Sequence, residues 1–112
     1  MSNVPLTMIT WVTLHRAHAR VRGYLTRRME TECGVSVLEH GSLYELSNAP
    51  ERRLPMAELA DRLGLSPSAT TRLVDRLEDR TWVRRESPRE NRRTVNVIIT
   101  PDGRRAYVRN NR

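Results

Sequence analysis

Lysine is missing from this chain: all 20 basic residues are arginine, and 13 acidic residues leave a formal charge of +7. A GC-rich coding sequence also favours arginine over lysine, so the missing lysine alone does not indicate a function. The net positive charge keeps its meaning either way, and it fits an anionic partner such as nucleic acid. Arginine's planar fork can pair bidentately with phosphate or guanine. No apolar run approaches the ~18 residues that a membrane-spanning helix needs, so no membrane partner is expected. The start, MSNVPLTMITWVTLH, lacks a charged segment followed by an unbroken apolar stretch, so no signal peptide is expected. The single cysteine, Cys33, excludes an internal disulfide and fits a reducing cytoplasm. Repeats and low-complexity stretches are absent. So are a Ser-His-Asp set, a paired-carboxylate site and a Gly-rich phosphate loop, so catalysis is not expected and no catalytic residue or cofactor is assigned. The 112 residues suit one domain.

The apolar pattern does the positive work. Residues 6 to 32 read as one long helix, with Leu6, Ile9, Val12, Leu14, Ala17, Val21, Leu25 and Met29 near helical spacing and arginines largely between them. Gly34 is expected to stop that helix, with Val35 as a hydrophobic cap. Ser36 and Glu39 form a capping box for a second helix, whose stripe is Leu38, Leu43 and Leu46 and which ends near Asn48-Ala49-Pro50.

From Leu54 to Arg80 the pattern is that of two helices joined by a tight turn. Pro55 opens the first helix, and Met56, Leu59, Ala60 and Leu63 form its apolar face. Gly64 stops it, Leu65 folds back over the stop, Ser66 caps the next helix and Pro67 sits in its first turn. The small Ala60 and Gly64 are expected to let the helices cross closely. On the second helix Ala69, Leu73, Val74 and Leu77 point inward. Ser68, Thr71, Arg72, Asp75 and Arg76 share the outer side. Small hydroxyl residues early in such a helix let it enter a major groove closely, and Arg72 and Arg76, one turn apart, can then reach base edges or phosphates. A solvated amphipathic helix with ordinary surface charge would look the same in isolation.

The following segment separates these readings. Trp82 to Glu86 and Thr94 to Ile99 read as two strands, the second with Val95, Val97 and Ile99 on one face and Thr94, Asn96 and Ile98 on the other. The turn between them carries Arg89, Arg92 and Arg93. A basic hairpin directly after a helix-turn-helix is a wing, and its arginines can enter a minor groove. Thr100, as cap, and Pro101 open a last helix. Eight arginines and five acids between residues 66 and 94 leave +3 where groove and backbone contacts need it. The fold class expected is mainly α with a small β-hairpin: a winged helix-turn-helix over 34–99, preceded by a long dimerisation helix over 1–33 and followed by the start of a final helix over 100–112.

The run MAELADRLGLSPSATTRLVDRLEDRTWVRR followed by PRENRRTVNVIITPDG resembles the MarR family signature, and the resemblance extends upstream through GVSVLEHGSLYELSNAP to the first helix. It implies a homodimer whose recognition helices enter successive major grooves of a pseudo-palindromic double-stranded operator while the wings reach flanking minor grooves. It also implies control by a small phenolic or aromatic ligand near the junction of the dimerisation and DNA-binding regions, releasing the DNA. The matching positions are Ser66, Ser68, Thr71, Arg72 and Arg76 on the recognition helix, and Arg92 and Arg93 on the wing, beside Arg89.

Three departures bear on these expectations. Asn91 stands where the family usually has an Asp that orients a wing arginine. Thr81 stands where Gly is common, and it would be strained if the position needs a positive φ. The family continues into a long final helix pair that builds much of the dimer, whereas this chain stops at Arg112, so a dimer held chiefly by the first helix and weaker than usual is expected. Two other functions stay open: a zinc- or thiol-responsive regulator using Cys33, Glu39 and His40, and a winged-helix protein-interaction module without specific DNA binding.

Overall fold

The computed structural model describes residues 5–33 and 36–111. The chain divides into two units, Met1–Val37 and Leu38–Arg112. In the first, helix α1 spans Leu6–Cys33, as the apolar spacing predicts. Its Leu6, Ile9, Trp11, Leu14, Val21 and Leu25 are exposed, Val12 is half-buried, and Trp11 stacks on His15 one turn away at 5.1 Å between ring centres. The expected stop and cap at Gly34 and Val35 lie outside the described residues, as do the side chains of Met29 and Cys33. Among the described residues no helix is long and apolar enough to cross a membrane.

The second unit is a winged helix-turn-helix of mixed α and β structure. Helix α2 is Val37–Ser47, a turn over Pro50–Arg52 leads to strand β1 (Arg53–Pro55), and α3 (Met56–Leu63) and α4 (Pro67–Asp79) follow. Strands β2 (Val83–Glu86) and β3 (Asn96–Ile99) then form the hairpin, and α5 is Pro101–Asn110. Leu43, Leu46, Leu59, Leu73, Val74, Leu77 and Val97 are fully buried and tie these elements together.

Strand β1 is missing from the sequence reading, which places Leu54 and Pro55 at the helix start. The chain instead pairs Leu54 with Val97 and Arg53 with Ile98, giving an antiparallel sheet of order β1-β3-β2. Pro55 suits the end of this edge strand because no donor is required of it there, and α3 begins at the next residue. The central position of β3 also corrects the expected burial. Ile98 belongs to the outer face of the hairpin, yet it is buried. Its direct cross-strand neighbours are Arg53 and Arg84, whose guanidinium groups both reach Glu86, at 3.4 and 2.8 Å.

Candidate nucleic-acid interface

The turn between α3 and α4 is built as its residues dictate. Gly64 takes φ +67°, the left-handed region open to glycine at little cost, and the Leu65 N–H returns to the Ala60 carbonyl at 3.0 Å. Gly64 does not serve close helix approach, contrary to the reading of the sequence: a side chain there would meet open space. Ala60, by contrast, is buried. Ser66 caps α4, its Oγ accepting from the Ala69 N–H at 3.2 Å, an interaction worth about 1 kcal/mol. Thr70 is buried and donates its hydroxyl to the Ser66 carbonyl, so the inward face is Thr70, Leu73, Val74 and Leu77 and Ala69 is only half-buried.

Ser66, Ser68, Thr71, Arg72, Asp75 and Arg76 are all exposed on α4. Ser66 and Ser68 hydroxyls lie 3.3 Å apart at the helix start, and Thr71 donates back to the Pro67 carbonyl. Among the described residues Arg72 and Arg76 form no ion pair, which leaves two cations one turn apart on an open face.

Arg89, Arg92 and Arg93 are exposed on the loop joining β2 to β3 and likewise form no ion pair among the described residues. Asn91 shapes this loop: its Oδ1 accepts the Arg93 N–H at 3.1 Å, and the Thr94 N–H reaches the Asn91 carbonyl. The amide therefore fixes the backbone of a wing arginine. Thr71 and Arg93 border a common groove of about 610 Å³ whose apolar walls include Met56, Leu65 and Val95. Arg72, Arg76, Arg89 and Arg92 stand away from it.

Arg85 was not singled out in the sequence. It lies on β2 in the cross-strand row of Val97 and Leu54, on the face turned to α4. Its guanidinium contacts Glu78, donates to Asp75 Oδ1 at 2.7 Å and reaches the Thr71 carbonyl at 3.2 Å. Position 85, two residues beyond the inward Val83, shares its face by alternation, but its alignment with Asp75 and Glu78 follows only from the sheet register.

Of the residues weighed as zinc ligands, Glu39 and His40 are engaged otherwise, and the Cys33 side chain lies outside the described residues. The buried Glu39 carboxylate lies 2.7 Å from Arg80 Nε, and the Arg80 guanidinium sits 4.7 Å over the Trp82 ring. His40 stacks on Tyr107 at 5.3 Å, and burial holds its imidazole below the ordinary histidine value, opposed by a hydrogen bond with Asn111.

Behind the recognition helix, Thr81 takes φ +65°. Its carbonyl accepts the Thr100 hydroxyl at 2.6 Å, and the same Thr100 Oγ1 accepts the Gly103 N–H as the cap of α5. Gly103 is required by proximity, since a Cβ there would lie 2.1 Å from the Trp82 carbonyl oxygen.

Residues 34–94 match the model of the MarR family. The repressor MdtR of Bacillus subtilis is 31% identical over 69 residues, covering 62% of this chain and 37% of that protein. The match to another curated relative covers 34% of its length, so the chain spans about a third of the curated relatives it matches. Among solved structures, Sco3205, a MarR family transcriptional regulator from Streptomyces coelicolor in complex with DNA, superposes with a TM-score of 0.79. It is 28% identical, with 97% of this chain and 69% of that one covered. CouR from Rhodococcus jostii RHA1, bound to p-coumaroyl-CoA, gives a TM-score of 0.71 at 26% identity, covering 88% of this chain and 67% of that one.

Proposed function

The chain belongs to the MarR family, and from that premise we propose that it is a sequence-specific transcriptional regulator that binds a pseudo-palindromic double-stranded operator as a homodimer. The observation that carries this reading is the pair Arg72 and Arg76, exposed on the outer face of α4 and free of ion pairs among the described residues. Cations already satisfied within the protein would have little to offer bases or phosphates; these two are available. Ser66, Ser68 and Thr71 keep the start of the helix narrow enough for a major groove. Arg89, Arg92 and Arg93 extend the positive surface along the wing toward the minor groove. The DNA complex of Sco3205 supports the assignment.

The regulator acts as a repressor released by a small aromatic acid. MdtR, a repressor, supports the first part, and the p-coumaroyl-CoA complex of CouR supports the second. By linkage, operator DNA must weaken the acid by the same factor as the acid weakens the DNA. Calorimetry with phenolic acids in the presence and absence of operator tests this, and a panel that gives no heat would leave a regulator without such an effector.

Replacing Arg76 with Ala tests the interface itself. Specific affinity is expected to fall by about 1–3 kcal/mol, with thermal stability nearly unchanged because the side chain is exposed. Unaltered operator affinity in a gel-shift titration would exclude this role.

A further inference from the structure

We propose that Arg85 is a positioning residue for DNA binding, acting by neutralising the carboxylates of Asp75 and Glu78 and holding the recognition helix against the wing strand. The inference rests on the DNA-binding reading above and concerns a residue that itself contacts no base in that reading. Asp75 stands between Arg72 and Arg76 on the outer face, with its side chain 58% exposed. A bare carboxylate there would repel the phosphates that the two arginines are placed to meet. Arg85 approaches from β2, only 27% exposed, and takes Asp75 Oδ1 at 2.7 Å, the Glu78 carboxylate and the Thr71 carbonyl. One fork thus serves two acids and a backbone oxygen of the same helix, with donors spread over two nitrogens in a fixed plane rather than gathered on the single nitrogen of an ammonium. Arg72 and Arg76 are spared from pairing with Asp75 and stay available. Three attachments, at positions 71, 75 and 78, also fix the helix along about two turns relative to the wing.

The test compares binding of an operator duplex, selected from genomic fragments retained by the unsubstituted protein, across a salt series. R85Q is expected to weaken binding about tenfold at low salt, with a defect that shrinks as salt screens the exposed carboxylates. Neutralising the acids as well, in D75N/E78Q/R85Q, is expected to recover most of that loss. D75N alone, an exposed substitution that preserves the fold, is expected to tighten binding two- to fivefold. A D75N protein that binds tenfold more weakly would mean that Asp75 itself reads a base, and the proposal falls. It also falls if R85Q binds within twofold of the unsubstituted protein, or if the triple variant, shown to be folded by circular dichroism, recovers nothing. R76A run in parallel separates the two levels: loss with R76A but not with R85Q removes the positioning role alone, while no loss with either removes the interface on which it rests.

Discussion

Thr81 holds a conformation that its own side chain disfavours. A β-branched residue at φ +65° carries strain of about 1–3 kcal/mol. The position nevertheless persists because its surroundings determine it from three sides. The Thr81 N–H closes on the Glu78 carbonyl at 2.8 Å, its carbonyl accepts from Thr100, and its hydroxyl donates to Asp102 Oδ2 at 3.2 Å. Asp102 is held below the usual carboxylate range chiefly by its hydrogen bond with Arg105, and secondarily by that with Thr81. Thr81→Gly relieves the strain, gives up one exposed hydrogen bond, and adds chain entropy of about 0.5–1 kcal/mol to the unfolded state. Strain relief outweighs the two losses, so a net gain of about 0.5–1 kcal/mol is expected in urea unfolding. A lower midpoint would show that the Asp102 contact outweighs the strain. This position was legible in the sequence only conditionally, since the strain of threonine follows from its type but the sign of φ does not.

At the scale of elements, what was legible is what carries a period or a punctuation mark. The helices from α1 to α4 announce themselves through apolar spacing, Ser66 and Pro67 mark the start of α4, and α5 is announced by Thr100 and Pro101 alone. Strand β1 does not, because three residues, Arg-Leu-Pro, are too few to show an alternation and their partner lies more than forty positions on. The burial of Ile98 was illegible for the same reason: it sits on the central strand, paired on one side with the unforeseen β1. Arg85 shows the same limit at the candidate interface, since its alignment with α4 emerges only once the register is set. The wing is the converse case. Its arginines were plain in the sequence, and the structure adds that Asn91 orders the backbone beneath Arg93. Replacing Arg92 and Arg93 together with Ala leaves that turn bond intact, because it uses a main-chain N–H. The expected effect is weaker DNA binding and a salt dependence lowered by roughly one to two units per wing. A slope equal to that of the unsubstituted protein would place the wing off the DNA.

The whole molecule has to present two recognition helices at once if it reads two half-sites, about 34–36 Å apart on one side of the duplex. One chain carries one such helix, so assembly is part of the mechanism proposed for it. The surface suited to assembly lies on α1, where Leu6, Trp11, Leu14 and Val21 are each more than half exposed. Apolar side chains in such number along one helix favour a partner surface over water. A second copy supplies that surface by symmetry, since a two-fold interface uses the same patch twice. Replacing Leu14 and Val21 with Gln is therefore expected to shift the protein toward monomer without unfolding the DNA-binding unit, which α1 lies outside. Operator DNA should oppose that shift, because a ligand that occupies both half-sites stabilises the dimer by mass action. Sedimentation over a hundredfold dilution range, with and without an operator duplex, measures both effects. The expected result is dissociation on dilution for the free protein, earlier for the doubly substituted one, and retention of the dimer on DNA in each case. A substituted protein that stays dimeric at every concentration would move the interface away from α1, and a protein that binds the full operator as a strict monomer would overturn the paired half-site arrangement.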